Sequence, residues 1–113
     1  MLILASNTDK IQVITASAGN IDVHASWMDN VLGAVLPGRT NTPTIVLATT
    51  TDVVGSPGAD TQRNLKTLHI RNKGTGSNDV TVVHTDGTIA VQLHRVTLAP
   101  NSTLQYIDEV GFI

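Results

Sequence analysis

Val80-Thr81-Val82-Val83-His84-Thr85, then Asp86-Gly87, then Thr88-Ile89-Ala90-Val91-Gln92-Leu93 is the stretch whose reading decides the fold. Two runs rich in β-branched residues flank an Asp-Gly pair, and Asp-Gly supplies the positive φ angles that a type I′ hairpin turn needs at both central residues. A two-residue turn places Thr85 opposite Thr88. It also pairs Val82 with Val91, Val80 with Leu93, Asp79 with His94 and His84 with Ile89.

Outward from this hairpin the period-two pattern recurs, and no window shows the i, i+3, i+4, i+7 apolar spacing of an amphipathic helix. Upstream, Lys10-Ile11-Gln12-Val13-Ile14 alternates, Ala18-Gly19-Asn20 turns, and Ile21 to Asp29 puts Ile21, Val23, Ala25 and Trp27 on one face. Trp27 is expected to anchor the core. Further strands are expected from Thr44 to Val54 and from Thr61 to Asn72. In the latter, Leu68 and Ile70 share one face while Leu65, Thr67, His69 and Arg71 share the other. Downstream, Pro100-Asn101 turns the chain into Thr103 to Ile107, with Leu104 and Tyr106 on one face and Gly111-Phe112-Ile113 as tail.

Seven to eight short strands with turn signals every dozen residues predict an all-β chain, an antiparallel β-sandwich with a small barrel as the alternative topology. At 113 residues the chain is one domain, 1–113. Two segments break the pattern. Residues 30–43 lose the alternation, with Gly33, Pro37-Gly38 and Pro43 as breakers, yet Val31, Leu32, Val35 and Leu36 are apolar. They read as a long apolar loop that either folds over its own sandwich edge or docks onto a neighbour. Residues 1–7 begin Met1-Leu2-Ile3-Leu4-Ala5 and turn polar at once, which makes them a candidate interaction arm.

Composition narrows the function. There is no cysteine, so disulfides and thiolate metal sites are excluded. A formal charge of −2, with 14% charged residues and no basic cluster, argues against nucleic acid as a partner. No apolar run approaches the roughly 20 residues of a membrane-spanning helix, and the N-terminus lacks the basic flank of a signal peptide, so no membrane partner is expected.

Catalytic signatures are missing as well. The register sets His84 opposite Ile89 and His94 opposite Asp79, several residues apart along the sheet and with no Asp or Glu at ligand spacing, so no metal site is expected. No nucleophile elbow or phosphate loop occurs, and Asp108-Glu109 reads as a solvated turn. No catalytic residue and no cofactor is expected. Sugar binding would lean on exposed aromatic rings, but alternation puts Trp27 and Tyr106 on apolar faces, and Asn101-Ser102-Thr103 reads as a turn rather than a glycosylation site.

One longer pattern remains. Pro57-Gly58-Ala59-Asp60-Thr61-Gln62-Arg63, running on through Leu65 to Asn72, resembles a family of small tailed-bacteriophage virion structural proteins, the capsid decoration and head-associated β proteins. The likeness extends to the hairpin, to Leu98-Ala99-Pro100-Asn101-Ser102-Thr103-Leu104-Gln105-Tyr106, to Thr8-Asp9-Lys10-Ile11-Gln12-Val13 and to Ala25-Ser26-Trp27-Met28-Asp29. It departs at Asn101-Ser102, where the family more often carries Gly-Glu.

The resemblance implies a non-enzymatic capsid decoration or cement protein, made in the host cytoplasm and seated on the virion surface. Its partners would be the major capsid protein and copies of itself, in a homotrimer or other cyclic oligomer. The rival role is a tail, neck or fibre-base module that binds a host receptor or glycan. The expected interface is Leu2, Ile3, Leu4, Val31, Leu32, Val35, Leu36, Phe112 and Ile113, with the arm or the loop packing on a neighbouring subunit or adding a strand to its sheet.

Overall fold

Each alternating run becomes a strand because one of its faces can be buried only against another sheet. The computed structural model describes all residues from Met1 to Ile113. The elements are β1 (Leu2–Leu4), β2 (Lys10–Thr15), β3 (Ile21–Val31), β4 (Ala34–Ile45), β5 (Thr49–Val54), β6 (Thr61–Asn72), β7 (Asn78–Thr85), β8 (Ala90–Leu98), β9 (Thr103–Ile107) and β10 (Gly111–Phe112).

They form two antiparallel sheets. The first runs β10-β9-β6-β3-β4, with β1 also paired to β6; the second runs β5-β2-β7-β8. β1 pairs with Arg63 to Leu65 and β9 with Thr67 to Arg71, so the two lie end to end along one side of β6. Both sheets keep open edges, which makes this a sandwich and not a closed barrel.

The core is one cluster of 18 buried residues drawn from both inner faces, among them Ile21, Val23, Ala25, Trp27, Leu68, Ile70, Val80, Val82, Leu104 and Tyr106. Buried amides tie the loops to it. Asn72 Nδ2 donates to the Gly76 and Leu98 carbonyls while its Oδ1 accepts from the Gly74 amide, and Asn78 exchanges bonds with the Ser17 backbone in the same way. A satisfied buried polar group holds a loop without a desolvation cost.

Four details of the expected register are corrected. The β7–β8 connection is a four-residue loop, Asp86 to Ile89, and Thr85 faces Ala90. Only Gly87 there has positive φ, because the Asp86 carboxylate instead accepts the Thr88 and Ile89 amides at 2.9 and 2.7 Å. A bulge at Leu93 then adds one more residue of shift, so Val82 faces His94 and Val80 faces Val96.

The two-residue turn lies elsewhere, at Leu32-Gly33, with φ of 50° and 89° and the Gly33 amide bonded to Asn30 Oδ1. Residues 30–43 are therefore the end of β3 and most of β4, not a loop. Pro37 and Pro43 are tolerated because β4 is a sheet edge.

Leu65 is fully buried and not on the wet face. A bulge in the β3–β6 pairing sets Leu65 opposite Trp27, making Lys66 the extra residue. The stretch from Thr44 to Val54 is interrupted at Val46-Leu47-Ala48, where the chain crosses from the first sheet to the second. Thr15 Oγ1 donates to the Leu47 carbonyl at 2.7 Å and the Gly19 amide to the Val46 carbonyl at 3.1 Å.

Candidate interaction surface

A β-sandwich offers partners its edges, its outer faces and its loop ends. Here the β4 edge stands out. Trp27 is the buried anchor beneath it, and Gly38 on β4 lies directly opposite. A Cβ on Gly38 would collide with the Trp27 indole nitrogen, so only glycine lets β4 cross the ring. Arg63 lies over the same ring at 4.4 Å from its centre and makes two hydrogen bonds to Asp29, at 2.9 and 3.0 Å, and one to the Gly55 carbonyl at 2.8 Å.

Beyond this braced layer the hairpin end carries uncovered apolar side chains. Leu32 is 85% exposed, Val35 59% and Leu36 54%, and they wrap the outer edge where β4 leaves its turn. The charged groups farther along this side are engaged with one another. Hydrogen bonds from Lys73 and the Thr44 amide hold the Asp22 carboxyl below its usual pKa, and Gln12 and Lys10 do the same for Asp52.

The nine residues expected at an interface divide. Leu32, Val35 and Leu36 come together with exposed side chains, and Val31 is partly buried beside them. Leu4 is fully buried and Leu2 packs against the core, because β1 belongs to this chain's own sheet; residues 1–7 are not a free arm. Phe112 is also engaged, stacked on His94 at 4.8 Å and tilted against Tyr106 at 5.2 Å. Ile3 and Ile113 are exposed but lie outside the β4 end. The sequence reading missed Val46 and Leu47, exposed at the sheet crossing, because it placed them inside a continuous strand.

The prolines define how this edge can be used. Proline fits a ladder only where its missing N–H faces away from the neighbouring strand. Alternate residues of a strand point the same way, so Val35, Arg39 and Asn41 also turn their amides outward, and Pro37 and Pro43 interrupt that row. Strand addition along β4 is thereby blocked, leaving side-chain contact.

Beside the hairpin turn a groove of about 690 Å³ has a mainly polar lining, with Ser6, Asn7, Asn30, Asp60, Thr61 and Gln62 joined by Leu32 and two alanines. Elsewhere, no group of three or more His, Asp or Glu side chains converges at metal-ligating spacing. His84 sits 3.8 Å from Asp9, while His24 lies opposite His69 across two strands. No protein-family model, no curated protein and no solved structure matches this chain.

Proposed function

We propose that the protein is a structural subunit of a tailed-bacteriophage virion, decorating the outside of the assembled head and stabilising it through contacts with the major capsid protein and with copies of itself. It works by binding, not by catalysis. The observation that carries this reading is the uncovered apolar end of β4: Leu32, Val35 and Leu36 stand on a layer braced by Trp27, Arg63 and Asp29. Apolar side chains held rigidly at an edge gain most when a partner covers them, and little ordering entropy opposes that contact. Because the prolines block strand addition, the contact is side chain against side chain. Cyclic self-association would let one such patch serve every copy. The sequence resemblance supports the same role.

The polar groove beside the turn favours a second reading, a tail, neck or fibre-base module whose amides and hydroxyls would meet a glycan or receptor. One experiment separates the two. Wild type and the double variant Val35→Asp, Leu36→Asp are mixed with undecorated heads, sedimented and counted per particle. Head decoration predicts hundreds of wild-type copies and a loss of about tenfold or more in occupancy for the variant, as expected when a central apolar contact is replaced by charge. A handful of copies per virion moves the protein to the tail. Full occupancy by the variant rejects the β4 end as the contact.

A further inference from the structure

The outer face of the first sheet carries a row of four side chains that neither reading uses. Register places Asn41 on β4 beside His24 on β3, His24 opposite His69 on β6, and His69 beside Gln105 on β9. The row therefore reads amide, imidazole, imidazole, amide across four strands. His24 Nδ1 and Asn41 Oδ1 are 2.6 Å apart, so the ring donates its Nδ1–H to the amide carbonyl. At the other end Gln105 Nε2 is 3.3 Å from His69 Nδ1, so in this orientation the amide N–H donates to the ring. Exchanging the two ends of that amide presents its carbonyl to an Nδ1–H in turn. Both rings then hold the Nδ1–H tautomer, and both Nε2 lone pairs lack a protein partner.

We propose that His24 and His69 form a two-imidazole site for a late first-row divalent ion, Cu²⁺, Ni²⁺ or Zn²⁺, with water filling the remaining positions. Imidazole suits these ions, and a ligating histidine characteristically donates its other N–H to a carbonyl, the role Asn41 holds for His24 and Gln105 takes for His69 once its amide is exchanged end for end. Geometry allows it. The ring centres are 6.5 Å apart at 61°. Two imidazoles sharing one ion at Nε2 distances of about 2.0–2.1 Å need centres about 5–6 Å apart, so a small rotation of each ring closes the site. The rings border an open depression of about 250 Å³, with room for the water ligands.

The charges facing the pair are Asp22, Arg39, Arg71 and Lys73. Lys73 is paired with Asp22 at 2.9 Å, and Arg71 donates to the Asn101 carbonyl and Thr103 Oγ1. Arg39 and Arg71 are both without an ionic partner; Arg39 lies one row away, opposite Ser26, and Arg71 one row away on the other side, opposite Asp22.

The test uses the full chain without a polyhistidine tag, titrated separately with Cu²⁺, Ni²⁺ and Zn²⁺ by calorimetry at about pH 7.5, where free imidazole is neutral. One ion per chain is expected, with Cu²⁺ tightest. His24→Asn and His69→Asn each weaken Cu²⁺ by about tenfold or more, and Gln105→Ala, which removes no ligand, by about tenfold. His84→Asn and His94→Asn leave it unchanged. Electron paramagnetic resonance of the Cu²⁺ form shows two coupled nitrogens. An unchanged melting temperature in metal-free buffer excludes misfolding of the variants. No saturable binding, affinity that survives both histidine substitutions, or a single coupled nitrogen overturns the proposal.

Discussion

Strands β3, β4 and β6 run through two environments. At about 3.3 Å per residue their 11 and 12 residues span roughly 36–40 Å, most of the 45 Å long axis, while the six residues of β2 and β5 span only about 20 Å. One half of the long ribbon is roofed by the second sheet, and there Ile21, Val23, Ala25 and Ile45 disappear into the core. The other half overhangs. Its inner face is closed by Arg63 over Trp27 and holds the fully buried Leu4 of β1, while Leu36 at the β4 corner stays exposed. Both halves present an inner face, so what a side chain contributes depends on the length of the opposite sheet. The roofed half supplies stability; the overhanging half has apolar surface left for something else.

Removing the piece that closes the overhang should have the largest effect. Trp27→Ala takes out the ring that Gly38 and Arg63 both pack on and leaves Asp29 and Arg63 around a void; the expected cost is about 3–5 kcal/mol in denaturant unfolding. A loss below about 1 kcal/mol would show that the overhang folds without its brace. Gly38→Ala is expected to move in the same direction by about 1–3 kcal/mol, because the new methyl meets the indole.

This division explains which parts of the fold were legible in the sequence. Ile21 to Trp27 reads correctly because period-two patterning depends only on a buried face existing. Leu65 was placed on the wrong face because a bulge is set by how two strands fit, and Lys66 carries no local mark of being the extra residue. Asp86-Gly87 and Leu32-Gly33 exchanged roles for a similar reason. A carboxylate can cap its own loop and dispense with positive φ, while a leucine can be carried into positive φ when Asn30 Oδ1 accepts the amide of the following Gly33 and both strands pair on past the turn. The candidate surface was half legible. The apolar residues of 30–43 could be seen, but that Leu36 lacks a cover while Leu4 has one depends on pairings distant in sequence.

An intermediate effect should come from β1, the strand that lines the overhang beside β6. Asp9 is buried, and burial alone would raise its pKa. The Ser6 hydroxyl and the Ala5 and Ser6 amides, bonded to the carboxylate at 2.7–3.3 Å, outweigh that and leave the pKa below 3.8. A folded pKa below the unfolded one means that this stabilisation is fully present above pH 3.8 and is lost as pH falls through the lowered value. Asp9→Asn should cost about 1–2 kcal/mol at neutral pH, the low end for bonds to a charged acceptor because the Asn carbonyl can still accept, and the difference from wild type should shrink in acid. Amide exchange at Leu2 to Leu4 should rise while that of Ile21 to Ala25 does not. A uniform rise would mean that the two halves open together.

The smallest effect is also the sharpest comparison. Ile45 and Leu36 lie on one strand and, because a bulge between them offsets the odd spacing, face the same side, opposite Ile21 and Asp29. Ile45 is roofed and 7% exposed; Leu36 is at the overhanging corner and 54% exposed. Replacing a roofed isoleucine by threonine buries a hydroxyl and opens space, which should cost about 2 kcal/mol or more. Leu36→Thr exchanges one exposed side chain for another on an edge strand that favours threonine, so the isolated chain should change by no more than about 0.5 kcal/mol. Denaturant midpoints for the two variants measure this directly. If Leu36→Thr destabilised the isolated protein as much as Ile45→Thr, the corner would already be covered by this chain, and its apolar side chains would not be free for a partner.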